Sequence, residues 1–194
     1  MRVLRELSEA IFLAIVIFIF VQLAIQNYKV EGASMNPTLE ENQMLIANKL
    51  VYLKINWQRV SKLFPFIEIN HATSSYIFSQ PKRGDIIIFQ WSINREKNLV
   101  KRIIGLPRDT LEIRRNKVYL NGVEFREMYL FEPEFRLQSM EKLIIPSGHY
   151  FVLGDNRRQS NDSRHWGLVS ESDIIGRIWF IYWPFESFSN SFKY

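Results

Sequence analysis

No charged residue stands between Glu9 and Lys29, and within that window Ala10 to Ile25 (AIFLAIVIFIFVQLAI) carries one polar side chain, Gln22. The window is 19 residues long, and at about 1.5 Å per helical residue it nearly matches the roughly 20 residues that cross the hydrocarbon of a bilayer. The segment therefore predicts a membrane-spanning helix. A removable secretory signal would have a shorter apolar core running into a small-x-small site, whereas Ile25-Gln26-Asn27-Tyr28-Lys29 follows here, which favours a retained anchor over a cleaved signal or a buried core helix. Arg2, Arg5 and the terminal amine precede the span and Lys29 alone follows it closely, so the charge bias places the N-terminus inside. Residues 1–27 then form a short tail and anchor, and 28–194 a single extracytoplasmic domain.

The remainder is large enough for one ordinary core, since the 194-residue chain is 47% apolar and 23% charged. It contains no cysteine, which excludes disulfide scaffolds, thiolate metal sites, Fe–S clusters and cysteine nucleophiles together. The net charge of +5 comes from 25 Lys and Arg scattered among 20 Asp and Glu. That pattern reads as a solvated basic surface rather than a nucleic-acid site.

Strand signals dominate after the anchor. Asp85 to Gln90, Leu99 to Ile104, His149 to Leu153 and Ile174 to Trp183 are β-branched or aromatic runs bounded by Gly, Pro, Asn or Asp. Lys117 to Leu120 and Val123 to Phe125 flank Asn121-Gly122, a pair suited to a type I′ hairpin turn. Val51 to Gln80 carries aromatics (Trp57, Phe64, Phe66, Tyr76, Phe78) without periodicity, and it reads as an insertion. The expected class is mainly β.

Three histidines, His71, His149 and His165, are never spaced as metal ligands, so no metal is expected. His149 falls at a strand start, and His165 beside Trp166 is an outside candidate for a Ser/His pair. In Gly32-Ala33-Ser34-Met35-Asn36-Pro37-Thr38-Leu39, Pro37 disfavours helix at Asn36, leaving Ser34 on irregular backbone where its Oγ can be exposed. In Leu99 to Pro107, a strand puts Lys101 on the face of Leu99 and Ile103, and Arg102 on that of Val100 and Ile104. One cation must lie against an apolar face. Arginine stays protonated, so of the two only Lys101 can serve as a base. A third segment, Gly154 to Gly167 (GDNRRQSNDSRHWG), packs polar groups into a loop behind an apolar strand; such loops carry function or brace the fold.

In this order, after an N-terminal span, GASMNPTL, PKRGDIIIF, VKRIIGLPRDT, GDNRRQSNDSRHWGLV and IIGRIWFIYWP resemble the bacterial type I signal peptidases, membrane-bound serine peptidases that remove signal peptides from exported proteins. The resemblance implies a largely antiparallel β fold, no cofactor, signal peptides of preproteins and the bilayer as partners, and a place in the bacterial cytoplasmic membrane. It implies Ser34 as nucleophile, Lys101 as general base, Ser160 as the hydroxyl orienting the lysine amine, and Asp155, Asn156, Arg157, Asp162 and Arg164 as the box bracing the site. Small residues before the cut, of the Ala-x-Ala kind, are implied in the same way.

The chain departs from that family in two places. Many Gram-negative relatives carry a serine two positions before the nucleophile as an oxyanion donor, where this chain has Gly32, so the Ser34 backbone N–H is the one donor the motif guarantees. Asn42-Gln43 replaces a frequent Gly-Asp. Substrate bound as an extended strand along Ser34 to Leu39 or beside Lys101 makes Met35, Pro37, Leu39, Leu99 and Val100 the substrate-binding candidates. Trp179, Phe180, Tyr182 and Trp183 read as core strand residues, with Phe185, Phe188 and Phe192 following; the alternative is aromatic surface at the lipid interface, here or equally along Val51 to Phe78. A LexA-like self-cleaving repressor shares the dyad but needs a DNA-binding module where this chain has its span, and a non-enzymatic tethered β module leaves Ser34, Lys101 and Ser160 without purpose.

Overall fold

The structure is a computed structural model that describes residues 2–55, 75–91, 96–130 and 138–187. His71, Trp57, Phe64, Phe66, Phe188 and Phe192, and most of the two stretches tied to no motif, lie outside the described residues.

The anchor is one helix, α1 (Arg2–Ala24), with no buried side chain. It begins earlier than the uncharged window because Arg2–Glu6 and Arg5–Glu9 close i,i+4 ion pairs at 3.1 Å on its first turns. Among the described residues it is the one helix long and apolar enough to cross a membrane. The chain becomes extended at once after Ala24. Strand β1 (Ile25–Lys29) pairs antiparallel with β2 (Met44–Asn48), Ile25 opposite Asn48 and Lys29 opposite Met44, so the expected boundary after residue 27 falls inside a strand of the body.

The body is antiparallel throughout. After β3 (Lys54–Ile55) and β4 (Ser75–Tyr76) come β5 (Ile86–Gln90), β6 (Asn98–Gly105), β7 (Thr110–Arg114), β8 (Lys117–Leu120), β9 (Val123–Glu124), β10 (Met140–Ile144), β11 (His149–Leu153), a short helix α2 (Ser163–Trp166), β12 (Val169–Ser170) and β13 (Ile174–Trp183). One seven-stranded sheet has the order β1-β2-β13-β5-β6-β11-β12, and a second has β10-β7-β8-β9. The strands read from the sequence correspond to β5, β6, β11 and β13, and the hairpin to β8 and β9, whose turn holds Asn121 at φ 53° and Gly122 at φ 86°.

The unbroken apolar run of β5 follows from burial on both faces. Ile86 and Ile88 pack with Leu45, Ala47 and Ile178, while Ile87 and Phe89 pack with Ile103, Tyr150 and Val152. A third cluster, including Leu111, Val118 and Phe151, joins the second sheet to the first. The aromatic end of β13 is less buried than its composition suggests. Its register shifts between Ile178 and Phe180 and again between Ile181 and Trp183, so Ile178 and Ile181 fill the core while Trp179 and Trp183 are half exposed, at 51% and 52%. This corrects the core reading of those two tryptophans.

Candidate active site

Ser34 rides on the loop between β1 and β2. The neck of that loop is closed by Val30 N–H to the Gln43 carbonyl at 2.8 Å and Asn42 N–H to the Val30 carbonyl at 2.9 Å. Asn42 sits at φ 69°, a left-handed conformation that asparagine tolerates. Buried Gln43 accepts from the Glu40 N–H at 3.0 Å. The loop is pinned from below by Met35 and Leu39, 1% and 0% exposed, in the cluster beneath the sheet. These two were expected as direct substrate contacts; here both are packed in the core with almost no free surface. Pro37 is exposed, and Leu99 and Val100 are half-buried.

Lys101 comes from β6, opposite Ile87 of β5. Its side chain is 3% exposed. The amine donates to Ser34 Oγ at 2.7 Å and to the Val100 carbonyl at 2.9 Å. Burial pushes its pKa down to about 8 against the opposing pull of the Asp162 and Asp155 charges. Two residues 67 apart in sequence are thus joined by one hydrogen bond, in a setting that favours the unprotonated base.

Arg102, the next residue, faces the other way and is 0% exposed. Its guanidinium holds the Asp155 carboxylate in a fork, Nε to Oδ1 at 2.9 Å and Nη2 to Oδ2 at 2.7 Å, and donates to the Gly84 carbonyl at 2.9 Å. The remaining face lies over the Tyr129 ring, 4.1 Å from its centroid. Both cations of the Lys-Arg pair are therefore buried, each by a different solution. The role of Arg102 was missed in the sequence because strand alternation offers no partner for a second buried cation; Asp155 is 53 residues away.

The polar loop after β11 closes the site from the other side. Asn156 N–H donates to the Ser34 carbonyl at 3.0 Å, and a Cβ on Gly154 would fall on that same carbonyl oxygen and on Ser160 Oγ. Asp162, 0% exposed, accepts from Gly154 N–H at 3.0 Å and from Arg164 Nε and Nη2 at 2.8 and 2.9 Å. Burial alone would raise the Asp162 carboxyl, but the Arg164 fork, the Ser160 hydroxyl and the Gly154 N–H outweigh it and hold it below the ordinary carboxylate value. Arg157 donates to the Gly154 carbonyl at 3.1 Å and pairs with Glu127. Asp155, Asn156, Arg157, Asp162 and Arg164 are thus brought together beside Ser34, whose carbonyl Asn156 holds.

Ser160 Oγ is buried and makes no hydrogen bond of good geometry, although it faces the Asp162 carboxylate. It is not bonded to the Lys101 amine. Gly32 lies at φ 79° with nothing within 4 Å of the position a Cβ would take. The Ser34 N–H donates to no internal acceptor among the described residues. His165 is exposed on α2, and His149 contacts the Ser147 carbonyl at 3.1 Å; neither is hydrogen-bonded to Ser34.

Comparison with known proteins places this arrangement among relatives. The profile of the family described as signal peptidase, peptidase S26, matches residues 4–183. A signal peptidase I of Bacillus caldolyticus is 37% identical over 178 residues, spanning 86% of this chain and 84% of the relative. A signal peptidase IB of Staphylococcus aureus (strain Mu50 / ATCC 700699) is 28% identical over 195 residues, spanning 92% and 88%. The crystal structure of a signal peptidase I from Enterococcus faecalis V583 is 37% identical, covers 51% of this chain and 97% of that one, and aligns with a TM-score of 0.46.

Proposed function

The chain belongs to the signal peptidase family, peptidase S26, serine endopeptidases that remove signal peptides, and we propose that it does so with Ser34 as nucleophile and Lys101 as general base. The observation that carries the assignment is the 2.7 Å contact between a 3%-exposed lysine amine and Ser34 Oγ.

A free lysine is neutral at pH 7 in about one molecule in 2,500, whereas at a pKa of about 8 about one in ten is. Neutral Lys101 accepts the Ser34 proton as Oγ bonds to the scissile carbonyl carbon, and it returns that proton to the departing amine as the C–N bond breaks. A water then loses its proton to the same lysine as it attacks the acyl group, and Ser34 recovers the proton. The Ser34 N–H supplies one oxyanion donor. Substrate lies extended beside Pro37, Leu99 and Val100, with Met35 and Leu39 as the floor under the loop. Ser160 is assigned the orienting role, because its buried hydroxyl beside Gly154 faces Asp162 without a hydrogen bond of good geometry and gains a bond by meeting the amine.

The short tail, the α1 span and the catalytic body from β1 onward follow the positive-inside rule with the body outside the cytoplasm. Phe78 and Phe185, 67% and 76% exposed, with Trp179 and Trp183, give the body aromatic surface suited to the lipid interface.

The test is a serine acylator of the β-lactam class followed by mass mapping. One adduct on Ser34, lost in Ser34→Ala together with preprotein cleavage, is the expected result; an adduct elsewhere, or cleavage retained in Ser34→Ala, rejects the assignment.

A further inference from the structure

Where α1 gives way to β1, the last turns of the helix and the flank of the body border an open-sided cavity of about 430 Å³. Phe20, Val21 and Ala24 line it from the helix, and Val51, Phe78 and Trp179 from the body. Its polar neighbour, Asn48, has its side-chain oxygen occupied by the Leu50 and Val51 N–H groups at 2.9 and 3.0 Å. The junction is held by a backbone bond from Lys49 N–H to the Ala24 carbonyl at 2.8 Å, so the two walls are fixed to each other at the exit of the span.

Three facts limit what fills this space. Its lining is apolar, so water gains little there; apolar cavities stay dry. One wall belongs to a helix none of whose residues is buried, and in a bilayer the medium against that surface is hydrocarbon. A second helix, about 10–12 Å across, is a broad occupant for a narrow space between one helix and the flank of the body. A single file of methylenes fits.

We propose that the cavity binds one acyl chain of a bilayer phospholipid, wedged between the span and the catalytic body. The site fixes the height of the body above the membrane, with Phe78 and Trp179 flanking the entry at the interface. The inference rests on α1 spanning the bilayer and is independent of the Ser34–Lys101 assignment.

The full chain is reconstituted in phosphatidylcholine vesicles whose acyl chains carry a diazirine, irradiated, and mapped by mass spectrometry. Adducts on α1 report the span and adducts on the body report the cavity, so the two readings fail separately. The expected result is labelling along α1 together with labelling at Val51 and Phe78. Ala24→Phe, which fills the space, lowers body labelling at least fivefold and leaves α1 labelling unchanged. Val21→Trp, on the exposed helix surface, is a second filler should the first misfold. Labelling confined to α1, body labelling undiminished by either folded filler, or body labelling displaced by a saturating signal peptide would each overturn the proposal.

Discussion

Gly154 lies so close to the Ser34 carbonyl oxygen that no Cβ fits between them, and the Asn156 N–H two residues on donates to that same oxygen at 3.0 Å. The polar loop thus grips Ser34 by its backbone rather than its side chain. Gly154→Ala is expected to displace Ser34 from Lys101 and to lower kcat by about 10²-fold, the scale of a misplacement near 1 Å. Steady-state cleavage of a preprotein checks it; an unchanged kcat would show that the loop yields freely.

Lys101 costs the fold stability. Its pKa falls from 10.5 to about 8 on folding, so the unfolded chain binds the extra proton, and stability rises as pH climbs from about 8 to 10.5. The full cost, about 3 kcal/mol at roughly 1.4 per unit, is present below pH 8. Lys101→Met is therefore expected to melt several degrees higher than the parent at pH 6 and to lose most of that advantage at pH 10. Melting curves at the two pH values test this, and an advantage independent of pH would contradict the burial of a depressed lysine.

The Arg102–Asp155 pair, at 0% and 1% side-chain exposure, is the opposite case. Removing one member leaves the other charged and buried, at about 3–5 kcal/mol. In a body of this size that lowers Tm by roughly 6–20 °C. Arg102→Leu is expected to show that loss, with Asp155→Leu restoring part of it in the double variant. Thermal unfolding of the three proteins decides, and additive losses would mean the pair is not coupled.

Gly32 sits at φ 79° with open space around it, so a side chain there is strained by conformation and not by a clash. Gly32→Ala and Gly32→Ser are expected to lose similar stability, about 1 kcal/mol. Serine alone adds a donor beside the oxyanion, and the kcat ratio of Ser over Ala is expected to exceed one. A ratio of one would show that the glycine serves its backbone alone.

Local signals carried much of this fold. The unbroken Ile86-Ile87-Ile88-Phe89 run announced a strand, and Asn121-Gly122 announced its hairpin turn, because each is decided within a few residues. β1 stayed hidden because Ile25 to Lys29 is a short mixed run without a strand pattern of its own and becomes a strand only by pairing with β2. The exposure of Trp179 and Trp183 depends on register shifts against β2, which no propensity encodes. At the site, Ser34, Lys101 and the polar loop were legible through their motifs. The partnership of Arg102 with Asp155 was not, since it joins β6 to the loop after β11, which are neighbours only in the folded sheet. The burial of Met35 and Leu39 was hidden for a related reason: proximity to Ser34 in sequence says nothing of which side of the loop faces the core.

The pH dependence of kcat/KM for preprotein cleavage bears most directly on the Ser34–Lys101 account. If a buried lysine must lose its proton before Ser34 can attack, kcat/KM rises tenfold per pH unit and levels off at an apparent pKa of about 8. A rise that continues to about pH 10.5, where an ordinary lysine titrates, or a profile flat through pH 8, would contradict it.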